Sequence, residues 1–268
     1  MRNNSERIRK MDTNPQTQDN PLLNFVKPTS FVELPSKGKG YIDNHPLKGN
    51  EVIEIYQMTA KDEDILTSQS LLKKGIAIDR FIENIIVDKN ISVDSLLVCD
   101  KNAILLESRM LGYGPDYEID ITCPNCLKES KENYDLGDKQ INFGKQELIS
   151  GDGFIDYKLP RSEVDVKIKL LTSREESEII QSMLGDKKET SVSQQLNLMI
   201  VSANGIEDRG QISQFIEAMP IIDSLSLRKH YKEVTPNVDM KFNFECKSCN
   251  HEQELEVPLG VGFFWPNL

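Results

Sequence analysis

From Phe31 onward the apolar positions of the chain alternate between two spacings, every second residue or every third to fourth, and the switches between them mark its elements. "SFVELPSKG" and "EVIEIYQMT" read as short strands separated by the loop "KGYIDNHPLKGN", because apolar and polar side chains alternate and Gly and Pro punctuate the gap. "TAKDEDILTSQSLLKKG" then reads as one helix: Thr59 suits an N-cap, the acids Asp62-Glu63-Asp64 meet the positive end of the helix dipole, and Gly75 stops it. That acidic run is expected to be a solvated first turn and not a metal or acid–base site. Helical spacing recurs around residues 76–88, through Ile82, Ile85 and Ile86, and around 93–111, through Leu96, Leu97, Ile104 and Leu105. At "DYEIDIT" the chain returns to a strand, which runs into a Cys-x-x-Cys.

The second half repeats this order of events. "IDYKLPRSEVDVKIKLLTSREESEIIQSMLG" lies over "FVELPSKG…EVIEIYQMTAKDEDILTSQSLL", with Leu159-Pro160 on Leu34-Pro35 and Thr172 on Thr59. "LNLMIVS" lies over "IENIIVD", "DSLSLRKHY" over part of "AILLESRML", and "VDMKFNFECKSC" over "YEIDITCPNC". The shared order, with indels left to loops, reads as a duplicated unit. An α+β fold follows, built of two duplicated lobes of short strands, helices and a Cys-bearing β-hairpin, related by a pseudo-twofold. The expected boundaries are a flexible N-terminal tail at 1–27, a first lobe at 28–140, a second at 141–257 and an aromatic C-terminal tail at 258–268.

Composition narrows the function classes. A chain of 268 residues with 38% hydrophobic and 28% charged residues has the make-up of a globular protein with a real core. Its net charge of −11 sets it against phosphate backbones, so nucleic acid is not expected as a main partner. No apolar run is long enough for a membrane span and none follows the basic "RNNSERIRK" as in a signal peptide, so a cytosol-like, reducing location is expected. There five cysteines read as thiols or metal ligands before disulfides.

Four of the five stand in two Cys-x-x-Cys turns, Cys123/Cys126 and Cys246/Cys249. Alternation puts Cys123 on the strand face of Ile119 and Ile121, and Cys246 on that of Phe242 and Phe244. A Cys-x-x-Cys turn between two strands is a zinc knuckle, and two knuckles complete a tetrahedral Cys₄ shell, so the halves are expected to share one structural Zn²⁺. The long chain between them raises closure entropy only logarithmically. A redox dithiol is the competing reading, but that motif normally opens a helix, and strands flank both copies here. His251 is a possible substitute ligand and reads more simply as a solvent-facing ribbon residue. Cys99, in an apolar helical stretch, reads as an inert buried thiol, and His45 and His230 stand in no catalytic pattern. No phosphate-binding loop is present, and with no assembled catalytic site in the sequence no small-molecule substrate is expected. "VPLGVGFFWPNL" groups Phe263, Phe264 and Trp265 as candidate partner-binding anchors, with packing back on the protein's own ribbon as the alternative.

The order "VELPSKG…HPLKG…IEIYQMTAKDEDILTS", the Cys-x-x-Cys hairpins and the ending "PLGVGFFWPNL" together resemble the baseplate hub and hub-assembly proteins of T-even-type contractile-tailed bacteriophages, zinc-knuckle members especially, over residues 28–268. The resemblance implies a non-enzymatic structural component or assembly chaperone of the central hub. Its partners would be other hub and tail proteins, met in the host cytoplasm during assembly or held in the virion tail baseplate. No catalytic residue is carried over; only the four knuckle cysteines map to a chemical role. A zinc-ribbon nucleic-acid-binding regulator is the alternative.

Overall fold

A computed structural model describes residues 28–184, 192–257 and 261–264. The expected N-terminal tail and Trp265 lie outside the described residues. In chain order the elements are β1 (Thr29–Glu33), β2 (Val52–Tyr56), α1 (Ala60–Thr67), α2 (Gln69–Lys73), α3 (Ala77–Ile85), α4 (Val98–Tyr113), β3 (Asp116–Thr122), β4 (Glu129–Asp135) and β5 (Gln140–Asn142). They continue with β6 (Phe154–Lys158), β7 (Asp165–Lys169), α5 (Ser173–Leu184), α6 (Val192–Met199), β8 (Ile200–Ala203), α7 (Arg209–Ala218), α8 (Ile221–Val234), β9 (Asn237–Asp239), β10 (Lys241–Glu245) and β11 (Glu252–Glu256). The sheets are small and antiparallel, β1-β2, β3-β4, β5-β9, β6-β7-β8 and β10-β11, so the class is α+β. One apolar cluster runs through both halves, taking in Val32, Ile55, Phe81 and Ile104 as well as Ile155, Ile168, Leu196 and Leu227. No helix among the described residues is long and apolar enough to cross a membrane.

The same local geometry occurs at matched places. Hairpin β1-β2 pairs Thr29 with Tyr56 and Val32 with Ile53; hairpin β6-β7 pairs Phe154 with Lys169 and Tyr157 with Val166. Ile168 pairs with Ile200 on β8, while Ile55 pairs with Ile86 in an isolated bridge. Each hairpin feeds a helix whose start is fixed by an acid three residues on. Asp62 accepts the Thr59 backbone N–H at 2.8 Å and its hydroxyl at 2.6 Å, and Glu175 accepts the Thr172 N–H at 2.6 Å. Further on, the third residue of α4 and of α8 is an aspartate that grips the turn after a Leu-Pro. Asp100 accepts the Ser36 N–H at 3.0 Å, and Asp223 the Arg161 and Ser162 N–H groups at 2.7 and 2.9 Å. The two aspartates stand three residues off the alignment that lays "DSLSLRKHY" over part of "AILLESRML".

Three expectations are corrected. The single helix ending at Gly75 breaks at Ser68, whose extended backbone separates α1 from α2. The helix expected at 93–111 begins only at Val98, because Leu97 is drawn into an antiparallel bridge with Thr172: the Val98 N–H reaches the Leu171 carbonyl at 3.0 Å, and the Ser173 N–H reaches that of Leu96 at 2.7 Å. Tertiary pairing overrides helical spacing there. Asp62 is not solvated; it is fully buried and also takes the Asn84 amide. Near the bridge, buried Lys101 joins the halves through Asp79 at 2.9 Å, Glu176 at 3.1 Å and the Ser173 hydroxyl at 2.9 Å.

Candidate metal centre

The two Cys-x-x-Cys turns are built alike. Strands β3 and β4 close at the pair Thr122 and Glu129, and β10 and β11 close at Glu245 and Glu252. In the first turn the Cys123 N–H donates to the Lys128 carbonyl at 2.9 Å and the Leu127 N–H returns to the Cys123 carbonyl at 2.9 Å. In the second, the Cys246 N–H donates to the His251 carbonyl at 2.9 Å and the Asn250 N–H returns to that of Cys246 at 2.8 Å. The turns tighten through left-handed backbone at Leu127 (φ 58°) and Asn250 (φ 53°). Asparagine adopts this conformation readily and leucine does not.

Alternation then decides where the thiols face. Ile119 and Ile121 are buried with Cys123, and Phe244 with Cys246, while Cys126 and Cys249 are half-buried. The four Sγ atoms lie within 4.8 Å of one another. Cys123 Sγ stands 3.7 Å from Cys249 Sγ, and Cys126 Sγ 3.6 Å from Cys246 Sγ. All four are free thiols. Sulfurs bound at about 2.3 Å around one tetrahedral ion stand about 3.8 Å apart, so the spacing fits a single metal of that kind. Each turn contributes two of the four donors, and neither turn alone can fill such a shell.

The environment pulls two of the thiols in opposite directions. The Cys246 thiol is lowered to about 6, chiefly by the Ser248 N–H and then the Cys249 N–H, which stabilise its thiolate. Cys126 is pushed up to about 11: the Lys128 N–H lowers it, but desolvation and the thiols of Cys249, Cys123 and Cys246 outweigh that pull. Thiolates crowded this closely repel one another, and a bound cation reverses that repulsion. The Asn125 side-chain amide crosses from the first turn to Cys249 Sγ at 3.6 Å, placed to orient a metal-bound thiolate. This contact was not legible, since nothing local distinguishes Asn125 from an ordinary turn residue.

Around the centre the two ribbons are tied by β5-β9 pairing and by Arg109. Arg109 is almost wholly buried and donates to the carbonyls of Phe263 at 2.8 Å, Gly114 at 2.9 Å and Asp116 at 3.3 Å. Phe263 and Phe264 are buried. Phe263 meets Tyr117 of β3 edge-on at 5.2 Å and Phe264 meets Phe81 at 5.4 Å. Their burial removes both from the exposed surface.

The other titratable candidates stand apart. His251 is outside the four-sulfur cluster, with its Nε2 3.3 Å from Gln253 Oε1. Cys99 is buried, and burial followed by the Asp100 charge pushes its thiol well up, so it stays protonated. His230 stacks on Tyr157. His45 Nε2 lies 2.9 Å from Ser95 Oγ, a pairing the sequence did not suggest, but the geometry is wrong for activating a nucleophile. Nδ1 accepts the Leu47 N–H, so Nε2 carries the proton, and the serine hydroxyl donates to the Ser92 carbonyl.

Compared with known families, the chain matches the one described as T4 bacteriophage base plate protein over residues 27–265. No curated protein and no solved structure matches it.

Proposed function

We propose that this chain, which belongs to the T4 bacteriophage base plate protein family, is a non-enzymatic structural component or assembly chaperone of the central hub, held in shape by one structural zinc ion. The observation that carries the reading is the convergence of four thiols, two from each half, in a spacing that suits one tetrahedral ion. Zinc is the metal chosen because it favours thiolates and a closed four-coordinate shell. Such a site has no open coordination position for a substrate, which supports a scaffold role over catalysis.

The two halves, 28–140 and 141–257, are duplicated lobes in this reading, flanked by tails at 1–27 and 258–268. The matched hairpin registers, helix starts and aspartate grips support the duplication. The exchange symmetry of the sulfur contacts, Cys123 with Cys249 and Cys126 with Cys246, supports a pseudo-twofold through the metal. Partners are other hub and tail proteins of the same phage, met in the host cytoplasm during assembly and in the tail baseplate where the chain stays with the particle. Trp265 is the remaining candidate of the aromatic tail for contacting them. The net charge of −11 opposes the nucleic-acid alternative.

Co-expression with the baseplate proteins of its own phage, followed by affinity capture, tests the assignment. A stable complex with a hub protein is expected, weakened by Trp265→Ala with the circular dichroism spectrum unchanged. Failure to bind any of them, with zinc loaded, overturns the hub role.

A further inference from the structure

In the first half, the start of α4 is covered by chain. The Leu97–Thr172 bridge seals it, using the Val98 N–H and the Leu96 carbonyl, and Leu96, Leu97 and Cys99 are buried. Taking Asp100 and Asp223 as matched, the corresponding residues at the start of α8 are Met219, Pro220, Ile221 and Ile222. Here, among the described residues, no segment forms such a bridge. Ile221 is 78% exposed, Ile222 54% and Leu225 50%, and these three are neighbours on one helix face. Among the described residues, neither the Met219 carbonyl nor the Ile221 N–H has a hydrogen-bond partner. Pro220 is no obstacle to the bridge, because its counterpart Leu97 turns its own N–H aside to the Tyr41 hydroxyl.

The covering segment also has an unused counterpart. Leu171, Thr172 and Ser173 correspond to Met58, Thr59 and Ala60, on the matched pairing of Thr172 with Thr59. Thr59 and Ala60 are exposed, and the Met58 carbonyl and Ala60 N–H are without partners among the described residues. The chain thus carries both halves of the joint that it makes once internally, one at each place, and both are open.

We propose that the start of α8 is a docking site for a second copy of this chain, which lays its Met58–Ala60 segment across Met219–Ile221 and covers Ile221, Ile222 and Leu225. The occupant follows from complementarity: a short extended segment offering one carbonyl and one N–H at the spacing this edge requires, as Leu171–Ser173 does internally. Because the two surfaces differ, the contact is head-to-tail and builds a ring or an open row of subunits. The inference rests on the proposed correspondence of the halves, whose symmetry is broken at this joint, since among the described residues Met58–Ala60 and Met219–Ile221 do not pair within the chain, and it is independent of the hub assignment.

Two substitutions separate the surfaces while suiting the local fold. Ile221→Asp places an acid in the first turn of α8, where the helix dipole favours it. Ala60→Pro deletes one N–H at the first position of α1, which proline tolerates, after a Thr59 already extended at φ −123° and ψ 166°. Light scattering on the purified, zinc-loaded full chain should show the average mass rising with concentration. Each variant alone should remain monomeric with an unchanged circular dichroism spectrum, and an equimolar mixture should form dimers and nothing larger. A wild-type chain that stays monomeric at every concentration overturns the proposal. So do variants that associate like wild type, a mixture that fails to pair, or capture of a baseplate protein through the α8 face without self-association. Any of these leaves the hub assignment to its own test.

Discussion

The carboxylate of Asp100 accepts both the backbone N–H of Ser36, at 3.0 Å, and its hydroxyl, at 2.6 Å, and all of these groups are buried. The Tyr41 hydroxyl adds a third bond at 2.8 Å. Burial raises the Asp100 pKa, while the hydrogen bonds from Ser36 and Tyr41 pull it down. Asp100→Ala strands the buried donors of Ser36, Tyr41 and Cys99 and should cost about 3 kcal/mol, read from the denaturant midpoint; Tyr41→Phe should cost about 1 kcal/mol.

Asp223 gives the matching grip in the second half, and its titration has the opposite sign. Burial would raise its pKa, but the Arg161 and Ser162 amides hold it below the usual carboxylate value. A depressed folded pKa means that the stabilisation is complete above the unfolded value of about 4 and is lost as pH falls through the folded one. Thermal midpoints measured from pH 5 down to pH 2 should drop more steeply for the native chain than for Asp223→Asn, which starts lower and lacks this component.

Metal analysis should find one zinc per chain. Substituting any one of Cys123, Cys126, Cys246 or Cys249 by Ser should reduce retention, whichever half it lies in. Chelation at neutral pH should lower the thermal midpoint by about 10 °C or more, since structural zinc sites bind with about 10–16 kcal/mol. Loss of metal confined to the half that carries the substitution would contradict a shared ion.

Leu127 holds a left-handed backbone with its side chain 74% exposed, where the other turn uses Asn250. Leu127→Asn relieves that strain and gives up little packing. It should raise stability by about 1 kcal/mol with zinc content unchanged, measured by urea unfolding.

The ribbons were legible because their strands alternate strictly and end in paired cysteines, a pattern local enough to survive any tertiary context. So were the Thr59 and Thr172 helix starts. What stayed hidden depends on residues far away in sequence. Leu96 and Leu97 fit a helical stripe, yet their backbone is claimed by Leu171 and Ser173. Asp62 looks like a solvent-facing acid until Asn84 and Thr59 enclose it. Arg109 sits within a helix as an arginine on any surface would, and only the fold shows it under the backbone carbonyl of Phe263. The two aspartates at the third position of α4 and α8 are visible in the sequence, but only the fold shows that each grips a turn after a Leu-Pro.

Because each cysteine turn holds only half of the donors, the order of synthesis matters. The first turn leaves the ribosome with its ribbon able to pair, then waits for the residues up to Cys246 and Cys249 to emerge. Under the proposed shared zinc, the ion is captured only once Cys249 has been made, and a message truncated upstream of Cys246 should yield a product that retains none.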